Sequence, residues 1–380
     1  MSLPDQRLPG IDALKGIACV MIIWHHLAFY GPMSDVVYPF ASALTDWLYE
    51  YGRMAVQVFL VVGGFLAASS LAPAGAAAYD QAGRLILRRY QRLLKPYLVA
   101  LLVSVMVAAL VRPWFNHPSV SAEPTVWQLL AHVLLLQDVL GQEALSAGVW
   151  YVAIDFQLFA MSVLIFGLTR RLQGRWPGLS AWPVSVGMAL VLVLAVLSLF
   201  FFNRQAGLDM TGLYFFGAYA LGMLAFWASK AARPGPWLLG LAALGVSALL
   251  LDFRGRLAVA LVVAFGLVWL QYGLLTTRPM RWLQQYWLPP LEQLGKMSYS
   301  IFLIHFSVCL LVNAVVSHFW PTQLPANVLG LMAAFVLSLL AGRVLYRGVE
   351  SRRTAFLGLI RARLIRHERF RSIFLSKKWL

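Results

Sequence analysis

Long apolar runs recur along this chain, at 11–30, 52–72, 97–112, 148–169, 183–202, 212–230, 236–251, 256–272, 297–317 and 327–346. A helix needs about 20 mostly apolar residues to cross a bilayer, where no backbone polar group can be left unpaired. Ten such runs, of which 97–112 and 236–251 are short, predict an all-α polytopic membrane protein with about ten transmembrane helices. Composition agrees. Charged residues make up 12% of the chain, about half the share of an average soluble domain, which excludes both an ordinary soluble fold and a disordered one. A further segment, 125–140, is apolar but carries His132, Gln137 and Asp138, and reads as an interfacial or re-entrant helix. The first run lacks a small-residue cleavage site and contains Lys15, His25 and His26, so it reads as a retained helix rather than a signal peptide.

The net charge of +16 does not point to nucleic acid, because the basic residues lie between apolar runs instead of clustering on a soluble surface. They fit a bilayer better. Positive charge collects in cytoplasmic loops. With the N-terminus cytoplasmic, all of the 31 Lys and Arg residues except Arg53, Arg112, Arg204, Arg254 and Arg256 fall on the cytoplasmic side. Both termini are therefore expected there. Residues 1–350 form one transmembrane domain, followed by a basic cytoplasmic tail, 351–380, read either as an amphipathic helix on anionic lipid or as an unstructured segment. Cys19 and Cys309 lie inside apolar runs and offer neither a disulfide framework nor zinc spacing, so no metal is expected. No internal repeat marks an inverted-repeat transporter.

Ionisable groups inside membrane helices are expensive and point to function. Asp12, Lys15, Cys19, Ile22 and His26 form one stripe on the first helix at spacings of three and four. Lys15 and His26 are eleven residues apart, about 16 Å along the axis. The stripe must face protein or a watery cavity. Two readings remain for each end of it. Asp12 and Lys15 make an ion pair near the interface, or Lys15 serves chemistry; the histidine is a satisfied interhelical hydrogen bond, or it is a base. Adjacent His25 is turned by about 100° and cannot share that face. Arg84, Arg88, Arg92 and Lys95 fall on one face of another helix, with Arg89 beside them and Pro96 closing the segment. So many cations call for anions, either lipid headgroups or the phosphates of a ligand. Asp155, within VWYVAIDFQLF, needs a buried Arg, Lys or His partner. Ser298, Tyr299, Ser300 and His305 open the ninth run, where small hydroxyl residues commonly join helices.

Taken together and in order, these motifs resemble acyltransferase family 3, the integral-membrane O-acyltransferases that decorate bacterial glycans. The resemblance covers nearly the whole chain. It rests on IDALKGIACVMIIWHH, with Asp12, Lys15, Gly16 and His26; on FLVVGGF, with Phe59, Gly64 and Phe65, and Gly63 where Ser is usual; and on RRYQRLLKPY, with Arg89, Arg92 and Pro96. It continues with WYVAIDFQ, where Asp155 takes the place of the usual Glu, with Gly295, Ser298, Tyr299, Ser300 and His305, and with Val349-Glu350. Lys15 stands where Arg is commoner, which keeps the charge and loses the guanidinium fork.

The resemblance implies transfer of an acyl group, acetyl by family default, from a cytosolic acyl-CoA to a hydroxyl of an envelope glycan or glycolipid at the bacterial inner membrane. Acyl-CoA is then a donor substrate, with no permanently bound cofactor. Arg88, Arg89, Arg92 and Lys95 are the expected donor-binding residues. His26, Lys15, Asp155 and His305 are the expected catalytic ones: His26 as general base or transient acyl carrier, Lys15 to orient the donor or hold the oxyanion. Some family members carry an extracytoplasmic esterase-like domain that this sequence does not show. The acyl group is expected to pass directly to the acceptor or to a separate periplasmic acyl-accepting protein. The competing class is a transporter or flippase, which explains the helices but requires neither the Arg-rich face nor the ordered motifs.

Overall fold

The computed structural model describes residues 9–176, 178, 185–271 and 285–351. Among them are α1 (Pro9–Phe29), α2 (Pro32–Tyr51), α3 (Val56–Leu71), α4 (Ala82–Val111), α5 (Val126–Val133), α6 (Val149–Arg175) and α7 (Val186–Phe200). These are followed by α8 (Gly212–Lys230), α9 (Pro234–Leu251), α10 (Gly255–Gln271), α11 (Leu288–Phe319) and α12 (Leu324–Leu345), which ends in a π-helical turn, Tyr346–Glu350. No strand occurs among the described residues. Among the described residues nine segments are long and apolar enough to cross a membrane, and α10 is an apolar helix just short of that length. Each of the ten predicted runs is thus mainly helical over its described residues. The run 97–112 looked short because α4 begins fifteen residues earlier, carrying the Arg-rich segment as its first turns.

The crossings alternate. The C-termini of α3, α6 and α8 and the N-terminus of α7 meet at one end. There Trp227 donates to the Ala72 carbonyl (2.9 Å), Ser185 to that of Gly75 (2.7 Å), and Arg170 pairs with Asp80 (2.6 Å). At the opposite end Arg254 donates to the Leu199 carbonyl (3.0 Å) and Asn203 to that of Tyr214 (2.9 Å). Arg84, Arg88, Arg92 and Lys95 belong to the first end, called here the basic end. Arg204, Arg254 and Arg256 belong to the other.

Helix α8 is the most enclosed crossing, 83% buried along its apolar window, and packs against α3 at the centre of the core. Gly64 and Gly222 permit that approach. A Cβ on Gly64 would collide with the Tyr219 carbonyl, and one on Gly222 with that of Val61. Small residues at such crossings replace the hydrophobic drive that lipid cannot supply.

Two elements depart from the sequence reading. Residues 32–51 contain no long apolar run, yet they form α2, broken at Ala41 two residues after Pro39. It starts and ends against the far end of α1, so it does not cross; Phe40, Leu44 and Trp47 are exposed, as befits an aromatic anchor at a membrane interface. The helix expected over 125–140 stops at Val133. Leu135 takes a left-handed backbone (φ 56°), and the chain returns in turns that bury Gln137. His132 ties that return: its Nδ1 donates to the Gln128 carbonyl (2.7 Å), and its Nε2 accepts from the Leu145 N–H (3.2 Å). The tail expected at 351–380 lies outside the described residues beyond Ser351, as do Arg278 and Arg281.

Candidate active site

Helices α1 and α11 run parallel and pack backbone to backbone. A Cβ on Gly295 would collide with the Asp12 carbonyl, and one on Gly16 with that of Leu291. One turn beyond Gly16 and Gly295, Cys19 Sγ points to the Ser298 carbonyl (3.7 Å). Two turns further again, His26 Nδ1 meets His305 Nε2 at 2.6 Å. The step from Cys19 and Ser298 to His26 and His305 is seven residues on each helix, which keeps the seam in register. The stripe of α1 thus faces protein at Cys19 and His26, each of which meets a residue of α11, as does Gly16 beside it.

The two imidazoles are coplanar within 1°, their centroids 4.9 Å apart. His305 is fully buried, and its Nδ1 lies 2.7 Å from the Phe302 carbonyl. A carbonyl only accepts, so His305 Nδ1 carries the hydrogen and its Nε2, in the neutral ring, has the lone pair. His26 Nδ1 must then donate to it. The remaining nitrogen, His26 Nε2, bonds to no described residue and keeps its lone pair. Such a fixed tautomer is what a general base requires. His26 is half-buried, whereas His25 is buried and turned away, with Nδ1 2.9 Å from the Leu48 carbonyl of α2.

A second centre joins α4 and α6. Arg89 Nη2 donates to Asp155 Oδ2 at 2.6 Å, and the guanidinium lies over the Phe159 ring, 5.3 Å from its centroid. Tyr151 and Tyr219 adjoin the pair. Arg89 Nε is buried without a hydrogen-bond partner. Asp155 thus has the cation its position demanded, in the half-buried Arg89. Arg84, Arg88, Arg92 and Lys95 are exposed on the other side of α4. The segment divides into one inward arginine and an outward basic face.

An aromatic layer separates the two centres. The Phe302 ring is 6.0 Å from the His305 ring and 5.4 Å from that of Tyr151. Tyr151 sits one helical turn before Asp155. Phe59 of α3 closes the layer, 6.3 Å from Phe302. Sequence reasoning named neither Tyr151 as part of the site nor the Phe302 carbonyl, whose contribution is a main-chain atom.

Lys15 is not drawn to the histidines. It pairs with Asp12 (2.6 Å), three residues away, and the helix rise sets it about 16 Å from His26. The late motif serines are structural. Ser298 donates to the Gly295 carbonyl (2.9 Å), and Ser300 to Glu350 Oε2 (2.6 Å), which fastens the π-helical turn to α11. Tyr299 donates to the Leu93 carbonyl (2.9 Å), and Ser104 and Ser307 share a 2.7 Å bond, together binding α4 to α11. No group of metal-ligating side chains occurs among the described residues.

The seam, the histidine pair and the arginine–aspartate pair occupy one contiguous stretch of fold, and comparison with known proteins covers the same stretch. A protein-family model for the acyltransferase 3 family, described as an acyltransferase domain, matches residues 8–347. A curated relative, the regulator of hypoxia-inducible factor 1 of Caenorhabditis elegans, is 24% identical over 203 residues, covering 49% of this chain and 39% of that protein. The chain spans well under half of that relative's length. No solved structure matches. With nearly all of its length matched by one family model, the chain belongs to acyltransferase family 3 and is a polytopic membrane protein.

Proposed function

We propose that the protein moves an acyl group, acetyl by default, from a cytosolic acyl-CoA to a hydroxyl of an envelope glycan or glycolipid at a bacterial inner membrane. The observation that carries this reading is the 2.6 Å contact between His26 and His305, which leaves His26 Nε2 as the open base. An acceptor hydroxyl has a pKa far above 7 and gains nucleophilicity by giving its proton to a positioned imidazole. In this scheme the hydroxyl proton passes to His26 Nε2 while the oxygen attacks the thioester carbonyl carbon. The tetrahedral adduct then collapses. The carbon–sulfur bond breaks, and the departing CoA thiolate takes the proton back from His26. His305 shares the transient positive charge through its hydrogen bond and holds the ring in place.

The basic end suits the donor. Arg88, Arg92 and Lys95 offer exposed charge for its phosphates, and guanidinium groups bind phosphate bidentately. Arg89 has one nitrogen committed to Asp155 and a buried Nε still without a partner, an edge suited to the donor's polar arm. Lys15, near the same end, orients the donor and stands too far along α1 to hold an oxyanion beside His26. With this polarity both termini are cytoplasmic and the acceptor arrives from the opposite face, directly or through a separate periplasmic acyl-accepting protein.

The test is transfer by purified protein in lipid nanodiscs. Radiolabelled acetyl-CoA and an envelope glycan fraction should yield alkali-labile labelled glycan. Arg92→Ala with Lys95→Ala should raise the donor KM at least tenfold, since a charge-assisted contact contributes roughly 1.5–3 kcal/mol. No transfer from any acyl-CoA by folded protein would refute the reading.

A further inference from the structure

The end of the bundle opposite the basic end is poor in positive charge: besides Arg53 and Arg112, its described arginines form one cluster. Arg204, Arg254 and Arg256 gather there around the turn that joins α7 to α8. Arg254 is committed: its guanidinium is buried and donates to Asn203 Oδ1 (2.5 Å) and to the Leu199 and Ala248 carbonyls, with Asp252 nearby at 3.7 Å. Arg204 faces the same Asp252 at 3.5 Å. Arg256 pairs with no carboxylate among the described residues. It donates once, to the Asn203 carbonyl (3.1 Å), and lies over the Tyr214 ring 4.8 Å from its centroid. Asp252 thus serves two of the three guanidinium groups, and the third, Arg256, is held by one carbonyl and by packing on a ring.

Arg256 lines a half-open notch with Gln57, Asn203 and Phe215. Gln57 is 7% exposed, and its amide hydrogen-bonds to no described residue. Its polar atoms are instead reached from the notch, where water or a ligand group satisfies them. Behind the notch the Phe215 ring lies 5.7 Å from Trp150, which lies 6.0 Å from Tyr151, the ring that meets Phe302 beside His305. Gln57 itself is two residues from Phe59 of the same aromatic layer. A chain of four rings, Phe215, Trp150, Tyr151 and Phe302, thus leads from the notch to the histidine pair, on the face away from the donor's cations.

We infer that this notch is an acceptor subsite, and that it grips an acidic substituent on a sugar: Arg256 takes the anion, Gln57 and Asn203 take neighbouring hydroxyls, and Phe215 supplies an apolar wall. The inference rests on the acyltransferase reading for calling the ligand an acceptor, but the site can be tested without turnover. A planar guanidinium over an aromatic ring is preorganised for a carboxylate or phosphate oxygen pair, whereas a neutral sugar would leave its charge unmatched. The notch is shallow, so it holds one substituent while the rest of the glycan lies along the membrane surface.

The experiment measures binding to the full-length protein in nanodiscs by calorimetry, with trigalacturonate, maltotriose and inorganic phosphate as probes. Trigalacturonate should bind at least tenfold more tightly than maltotriose. Arg256→Gln should weaken it tenfold or more and Gln57→Ala severalfold, with acetyl-CoA binding unchanged in both, which also shows that each variant is folded. Arg256→Lys should fall in between. Equal affinity for trigalacturonate and maltotriose, unchanged affinity in both variants, or no binding of any probe would overturn the proposal. Inorganic phosphate displacing trigalacturonate at equal concentration would reduce the site to a bare anion site and overturn the sugar assignment. Specific trigalacturonate binding by a protein that transfers no acyl group would keep the site and sink the acyltransferase reading instead.

Discussion

Removing Asp155 should cost more stability than any other single carboxylate in the described fold, because of what it leaves behind. Arg89 turns inward from α4, with Asp155 its one carboxylate partner at 2.6 Å and Phe159 over its face. Its Nε is already buried without a partner. Truncating one member of a buried ion pair typically costs about 3–5 kcal/mol, because the other charge is left uncompensated in a poor solvent. The Arg89 side chain retains 29% exposure and that of Asp155 13%, so water relieves part of the penalty and the low end, about 3 kcal/mol, applies. Asp155→Asn keeps the shape and one acceptor and should lose less than Asp155→Ala. The decisive variant is the double one. Arg89→Leu with Asp155→Leu removes both charges, so it should recover most of the loss, with a coupling energy of roughly 2 kcal/mol between the sites. Stability would be followed by thermal unfolding of the detergent-purified protein, with donor affinity measured on each variant. Additive losses in the double variant, or an Asp155→Ala protein as stable as the parent, would refute the picture of a mutually dependent pair.

Two further predictions follow from geometry. Gly295→Ala should abolish accumulation of folded protein, because the new methyl must occupy the space of the Asp12 carbonyl; Ser298→Ala, one turn on, should be nearly neutral, and equal membrane levels for both variants would contradict the seam. His132 should make stability depend on pH: burial holds its pKa below the usual 6.5, so the unfolded chain takes up the proton first. Stability from this loop is then complete above about pH 6.5 and declines as pH falls toward the lowered folded value. His132→Gln should show a smaller loss of unfolding temperature between pH 7.5 and 5.5 than the parent, and parallel curves would exclude the tie to Leu145.

The crossings were legible because hydrocarbon imposes a length and a composition that any window of sequence reveals. The stripe of Asp12, Lys15, Cys19 and His26 was legible for a related reason: helical periodicity places residues on a face without reference to the rest of the chain. What that face meets was not. His26 and His305 are 279 residues apart, and only the parallel docking of α1 on α11 makes them neighbours. Arg89 is the intermediate case. Its position beside the face of Arg84, Arg88, Arg92 and Lys95 already turned it elsewhere by about 100°, and Asp155 was already in want of a cation, but nothing local joined the two. Helix α2 escaped notice because an interfacial helix rich in Tyr and Trp, interrupted by Pro39, never accumulates 20 apolar residues. The overrun at 134–140 has a different origin: the backbone at Leu135 and the two bonds of His132 stop a helix that composition alone would continue.

The central claim, that His26 Nε2 is the base, is tested by comparing the two adjacent histidines in one transfer assay. Acyl transfer from acetyl-CoA to glycan would be measured for His26→Ala and His25→Ala, each purified to equal monodispersity and with donor affinity confirmed. Loss of a general base lowers the rate about 10²–10⁴-fold, so His26→Ala should fall into that range with its donor affinity intact. His25→Ala, which loses one bond to the Leu48 carbonyl, should stay within a few-fold of the parent. Full transfer by His26→Ala, or a larger loss in His25→Ala, would contradict the assignment.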